Sequence, residues 1–236
     1  MTVITMTREV GSRGADIAAG VANELNLHII HSEDVATHVA ERMGVEEGTI
    51  RRYADGSASL LERWLIHRRK LSDYTSEELL RLAHEDNVLI RGWGAAALLR
   101  GTPQVVSVRV CAPMAFRVRV MMHKMDINDA DTAHREIERI DAAHTRFMRD
   151  SFNMEQGDAL LYHLVLNTER LSVDFCVKSI CELARHSQFP PPNPWVMRDM
   201  HGNVGELHED GSFRTLRSAC RFLSIADSVP VIADSF

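Results

Sequence analysis

An α/β chain with a parallel sheet wrapped by helices on both faces is predicted by three features of the sequence. Short β-branched runs alternate with longer stretches of helical periodicity from residue 3 to residue 185, the pattern of βαβ units rather than hairpins. The first run opens straight into a loop with two glycines and then a helix, and strand, glycine loop, helix is the unit that receives anions. The tract Phe189-Pro190-Pro191-Pro192-Asn193-Pro194 then ends the alternation, because it suits neither helix nor interior strand.

Thr2-Val3-Ile4-Thr5-Met6 reads as the first strand, followed by a loop from Thr7 to Gly14. Ile17, Val21 and Leu25 recur at four-residue steps and predict a core-facing helix over 15–25, stopped by Asn26. Residues 27–30 form the second strand, and Ser32 with the acidic residues after it predicts an N-cap for a helix reaching residue 43. Residues 46–85 are helical in pattern and heavily charged, with Leu60, Leu61, Trp64, Leu65, Leu79, Leu80 and Leu82 as the expected buried faces. Val88-Leu89-Ile90 is a buried strand ended by Arg91-Gly92-Trp93-Gly94, and a helix starts at Ala95. Residues 105–110 are the next strand, stopped by Ala112-Pro113, and a long polar helical region covers 114–149. Residues 164–167 complete the sheet, and Ser172 caps a last helix through Val177, Ile180 and Leu183. Beyond the prolines, residues 195–200 and 204–207 suggest a hairpin around Gly202-Asn203, with Leu216, Cys220 and Leu223 suggesting a helix. This tail reads as a ββα cap or as a dimer contact, so a homo-oligomer is one of its two expectations.

Composition narrows the function. The 236 residues are 45% hydrophobic and 25% charged, enough for one large core with a small appendage. A net charge of -6 supplies no basic stripe for a nucleic-acid backbone, so no nucleic-acid partner is expected, and any anionic ligand needs arginines gathered locally. No stretch suits a signal peptide or a bilayer span, which predicts a cytoplasmic protein with no membrane partner. Cys111, Cys176, Cys181 and Cys220 lack metal-ligand spacing and read as free thiols, and His28 and His31 lack two further ligands nearby.

The segment Gly11-Ser12-Arg13-Gly14 lets backbone N–H groups converge at a helix N-terminus, a cradle for phosphate. It lacks the lysine and hydroxyl of the G-x-x-x-x-G-K-[ST] loop, and taken alone it is compatible with a plain tight turn as well. The wider stretch Thr5-Met6-Thr7-Arg8-Glu9-Val10-Gly11-Ser12-Arg13-Gly14-Ala15-Asp16-Ile17-Ala18 resembles the opening signature of the cytidylate-kinase-like family, [ST]-R-E-x-G-S-G-G-x-x-I-A. Further segments keep that family's order: Asn87-Val88-Leu89-Ile90-Arg91-Gly92-Trp93-Gly94-Ala95, then Val110-Cys111-Ala112-Pro113 with Arg117 and Arg119, a helix ending near Asp141, and Val165-Leu166-Asn167-Thr168-Glu169-Arg170-Leu171-Ser172. The resemblance covers roughly residues 3 to 185.

What the resemblance implies is a three-layer α/β/α fold of the P-loop kinase type. An acceptor-binding helical segment would lie around residues 35–85 and an arginine-bearing lid around 115–155. The kinase-like domain would span 1–186, leaving 187–236 as a Pro-rich linker and small extension. It implies nucleotide partners, ATP and Mg2+ as cofactors, and transfer of the γ-phosphate of ATP to a nucleoside monophosphate, CMP or dCMP. A nucleotide-binding regulatory module without catalysis is the alternative. Carried over by position, Arg8, Gly11, Ser12, Arg13, Gly14, Ala15 and Asp16 would hold the cofactor, while Arg117, Asp141, Arg146 and Arg149 would serve the transfer. Such a reaction needs in-line positioning and fixed positive charge more than covalent help, and guanidinium groups match phosphate geometry.

Several of these residues have a second reading. Arg117 and Arg119 are two apart and cannot share a helix face, so one is expected in solvent. Arg8 is either the loop-entry cation or a partner of Glu9, and Asp16 either approaches magnesium or favours the helix dipole. Arg135, Glu136, Glu138 and Arg139 read as an exposed ion-paired face. Arg13 stands where the family has glycine, and Ala15 where it often has arginine. Trp93 replaces the arginine of the G-R-G turn, and Arg91, two positions earlier on the same side of the strand, is expected to reach the vacated space. His31-Ser32 replace an Asp-Arg pair, which alters acceptor recognition.

Overall fold

The computed structural model describes residues 2–68, 71–100, 102 and 104–186, and three short strands at 197–198, 204–207 and 213–215. Strands β1 (Val3–Arg8), β2 (His28–Ile30), β3 (Val88–Arg91), β4 (Val105–Cys111) and β5 (Leu164–Asn167) pair in parallel in the order β2-β3-β1-β4-β5. The central β1 aligns Val3 with Val88 on one side and with Val105 on the other. A strand so placed is buried on both faces and reads as continuous apolar sequence.

Two cores follow. Ile4, Met6, Val106, Val108 and Val110 pack against α1 (Gly14–Leu25) and α9 (Val173–Ala184), where Ile17, Val21, Cys176 and Ile180 are buried. Val3, Ile30, Val88 and Ile90 face the opposite way. They meet α2 (Ser32–Met43), α3 (Glu47–Ala54), α4 (Leu60–Arg68), α5 (Leu71–His84), α6 (Ala95–Leu98) and the C-terminal part of α8 (Ala130–Phe152). Helix α7 (Met114–Met125) packs on α8 beside Val10, just beyond β1. The result is the expected three-layer α/β/α arrangement.

Local chemistry explains where elements start and stop. Asn26 takes the left-handed conformation (φ 51°) and ends α1, as its position suggested, and the Ser172 hydroxyl accepts from Phe175 N–H to cap α9. At α2 the cap is His31, not Ser32: His31 N–H donates to the Asp34 carboxylate and Ser32 is the first helical residue. Residues 46–85 divide into three helices, the first break falling around Gly56 (φ 80°), where Asp55 accepts from Ser57 N–H. The 114–149 region is likewise two helices. Asp126 (φ 51°) ends α7, and Asp129 caps α8 by accepting from Thr132 N–H at 2.9 Å.

One expectation of burial is overturned. Leu60, Leu61 and Trp64 are 87%, 74% and 58% exposed, because the nine-residue α4 turns Ile66 to the core instead. Leu79, Leu80 and Leu82 are buried as expected. In the tail, β6 (Met197–Arg198) and β7 (Val204–Leu207) pair antiparallel as the hairpin reading proposed, and β8 (Phe213–Thr215) adds an unforeseen third strand. The proline tract, Cys220 and the helix expected around residues 216–223 lie outside the described residues. Cys111, Cys176 and Cys181 are free thiols. Among the described residues no helix is long and apolar enough to cross a membrane, and no group of three His, Cys, Asp or Glu side chains is placed to hold a metal.

Candidate active site

The chain leaves β1 through residues 9–13, a turn closed by Ser12, whose N–H and Oγ both donate to Glu9 O at 3.2 and 2.7 Å. Gly11 has φ +78° and Arg13 φ 59°, so the turn spends a glycine and one left-handed side-chain residue before α1 starts. A Cβ on Gly11 would lie 2.5 Å from Arg117 O, and one on Gly14 would lie 2.7 Å from Arg8 Cβ. The loop is thus sandwiched between α7 and the Arg8 stem. From the far side Thr168 Oγ1 donates to Ser12 O at 2.9 Å. No side chain caps α1, and the N–H groups of Gly11, Arg13, Gly14 and Ala15 have no hydrogen-bond partner among the described residues. Unpartnered amides at a helix start suit an anion such as phosphate.

The brace beneath the loop is Glu9. Its carboxylate accepts from Arg109 at 2.7 Å and from Ala112 N–H at 3.1 Å, and Arg117 Nε lies 3.7 Å away. Arg117 is buried, grips Asp141 through two hydrogen bonds of 3.2 and 2.7 Å, and donates to Val10 O. Arg119 is exposed, so the two arginines divide as helix geometry demands. Glu9 is therefore taken by Arg109 and Arg117, and the proposed pairing of Arg8 with Glu9 is not formed.

Beside the loop lies a cavity of about 420 Å³. Thr7 and Arg8 come to it from β1, Ser32 and Glu33 from α2, Arg51 from α3, residues 91–94 from the end of β3, and Ile140, His144, Phe147 and Met148 from one face of α8. Burial, then the charge of Arg91, pushes the Arg8 guanidinium below its ordinary pKa against an opposing pull from Glu33. Arg8 forms no ion pair or hydrogen bond among the described residues, and an arginine so placed keeps its charge. Arg91 Nη1 lies 3.1 Å from His31 Nδ1, while its buried Nε has no partner. Gly92, Trp93 and Gly94 are three successive left-handed residues (φ 76°, 53° and 69°), a course that turns the indole into the wall. Trp93 Nε1 donates to Ser32 O at 2.7 Å, and its ring meets Phe147 edge-on at 5.3 Å. Trp93 brings no charge, and Arg91 lines the same cavity. His144 is exposed to this space, yet crowding by protein pulls its pKa below the usual imidazole value; Asp141 opposes the shift and Arg8 adds to it.

The remaining candidates lie elsewhere. Arg146 is exposed and does not line the cavity. Arg149 pairs with Glu155 at 2.7 Å in solvent, a contact of little energetic weight. Asp16, in the first turn of α1, is bound by Lys124 at 2.7 Å and approached by Arg13 at 3.6 Å; the Lys124 hydrogen bond chiefly holds its carboxyl below the usual range. Lys124, Arg51, Glu33 and His144 escaped the sequence reading, because each comes from a helix outside the glycine loop and no local pattern links it to that loop. The unpartnered amides are the groups that would hold the phosphates of ATP. Glu9 is held by two arginines, so Asp16, once released from Lys124, would be the loop carboxylate to approach magnesium, an ion that commonly takes one or two carboxylates together with phosphate oxygens.

Comparison with known proteins agrees with this geometry. The profile of the cytidylate kinase-like family matches residues 3–170. A cytidylate kinase of Pyrobaculum islandicum is 23% identical over 181 residues, 75% of this chain and 90% of that protein. A cytidylate kinase of Methanocaldococcus jannaschii is 23% identical over 174 residues, 73% and 91% respectively. The crystal structure of an uncharacterized protein from Eubacterium ventriosum superimposes with a TM-score of 0.60 at 18% identity, covering 78% of this chain and 97% of that one; it shares the fold. Because the family match runs unbroken from the start of β1 through the loop, the cavity walls and the α7–α8 brace to Thr168, the chain belongs to the cytidylate kinase-like family.

Proposed function

We propose that the protein binds ATP at the loop between β1 and α1 and transfers its γ-phosphate to a nucleoside monophosphate, CMP or dCMP, seated in the adjoining cavity. The observation that carries this reading is the pair Arg8 and Arg91. Both line the cavity next to the loop, and neither is paired with a carboxylate among the described residues. Two guanidinium groups without a bonded carboxylate suit a phosphate dianion, although Glu33 shares the cavity and its charge acts on Arg8. Trp93, Phe147 and Met148 supply an apolar wall for a base, and the volume suits one small ligand. Magnesium, when bound with ATP, supplies charge neutralisation on the phosphate oxygens. The choice of cytosine rests on the names of the relatives.

A second reading, nucleotide binding without turnover, is favoured by the absence of a loop lysine and by the engagement of Asp16 with Lys124. Incubation of the full chain with labelled ATP and each of CMP, dCMP, UMP, AMP and GMP separates the two. The first reading expects labelled diphosphate, most rapidly from CMP or dCMP, with Arg8→Ala and Arg91→Ala each lowering turnover by roughly tenfold or more. Nucleotide-dependent thermal stabilisation with no product would leave the second reading, and no binding at all would remove both.

A further inference from the structure

The chain holds 27 lysine and arginine residues, and only Lys70, Lys124 and Lys178 are lysines. Lys124 is the one whose Nζ lies 2.7 Å from Asp16 Oδ1, in the first helical turn after the phosphate loop. Apart from histidine contacts, the other described ion pairs are all made by arginine. Lysine and arginine are not equivalent at such a place. Arginine would hold the carboxylate by two planar bonds, whereas a compact ammonium on a flexible stem can leave one oxygen anion for another.

The pair contributes little to the fold. Lys124 and Asp16 are 47% and 37% exposed, and open ion pairs of this kind add little stability. Its position is nevertheless built. Arg117, Met121 and Lys124 follow at four- and three-residue steps, so they share one face of α7. Arg117 is bonded to Val10 O and Asp141, Met121 is buried in the cluster that includes Val10, and Gly11 leaves no room for a Cβ beneath the Arg117 backbone. The face that carries Lys124 is thereby fastened along the loop.

We infer that Lys124 is the phosphate-binding lysine of this site, presented across the loop by α7 instead of by the loop itself. Asp16 holds the ammonium when no nucleotide is present, and the outer phosphates of a nucleoside triphosphate draw it off. This rests on the reading of the loop as a triphosphate site. No bond is made or broken; one ion pair is exchanged for another.

The test is calorimetric titration of the full-length wild type, Lys124→Ala and Asp16→Asn with ATP, ADP and CMP in a chelating buffer without divalent metal. Lys124→Ala is expected to weaken ATP about tenfold, the size of one charge-assisted contact, while CMP affinity stays unchanged. Asp16→Asn is expected to tighten metal-free ATP several-fold, because the competing carboxylate is gone. The opposite signs are diagnostic, since a merely structural pair would be broken equally by both substitutions and would weaken ATP alike in both. That outcome, or equal ATP affinity in wild type and Lys124→Ala, overturns the assignment and leaves the nucleotide reading standing. A wild type that binds CMP but not ATP removes the triphosphate loop itself, and with it the role of Lys124.

Discussion

Gly11 meets two demands that alanine cannot. Its φ of +78° is a conformation that L side chains rarely adopt, and the Arg117 carbonyl occupies the space where a Cβ would go. Gly11→Ala is therefore expected to cost about 1–3 kcal/mol, since the loop must change course and α7 must lift away. Urea denaturation and ATP titration read both effects. Gly157→Ala is the control, because nothing lies within 4 Å of its would-be Cβ. A Gly11→Ala variant as stable as that control, with unchanged ATP affinity, would show that α7 does not clamp the loop. At this scale the sequence was partly legible. Glycine spacing pointed to the loop, and the two-residue offset predicted that Arg91 would reach the space at position 93; both line one cavity, although the strand ends at Arg91 and Trp93 is left-handed. The partners of Glu9 were not legible, since Arg109, Ala112 and Arg117 lie a hundred or more residues away and no local pattern links them.

Between elements, the cavity depends on α2 keeping its place against α5. The tie is Glu78, only 2% exposed, whose carboxylate meets His38 Nδ1 at 2.8 Å and Arg81 at 2.7 and 3.1 Å. Burial pushes the Glu78 carboxyl pKa up, but the hydrogen bonds from Arg81 and His38 prevail, and the net direction is downward. A carboxyl depressed in the folded state adds stability that is present above its unfolded pKa, about 4.3, and is lost as pH falls through the folded value. Glu78→Gln is thus expected to destabilise by about 2 kcal/mol at neutral pH, with the gap from wild type closing below about pH 4. Chemical denaturation at a series of pH values measures it, and a gap that stays constant down to pH 3 would discard this account. Sequence periodicity located the strands and several helix ends because burial and caps are local. It ran past the breaks at Gly56 and Asp126 because charged helical pattern continues on both sides of each. It misjudged α4, where apolar residues at most positions do not say which face the core will take.

Across the whole molecule, the site is the C-terminal edge of the sheet. Residues after each of the five strands converge there: Glu9 to Arg13 after β1, Ser32 after β2, Gly92 to Gly94 after β3, Ala112 after β4 and Thr168 after β5. Alternating strands and helices made that edge foreseeable, as parallel sheets place their ligand loops at one end. The central place of β1 between β3 and β4 was not foreseeable, because it depends on which apolar faces close the two cores. Both cores, the loop and the cavity are built from residues 2–186, and the described tail strands pair only with one another. Three strands of two to four residues are too little for an independent fold, so their contribution to the stability of the main sheet is expected to be small. A chain ending at His186 should then melt within about 2–4 °C of the full protein, the shift that corresponds to roughly 1 kcal/mol for a domain of this size. It should also keep its ATP and CMP affinities. Loss of cooperative melting, or of either affinity, would make residues 187–236 part of the nucleotide-binding domain and move the boundary beyond α9.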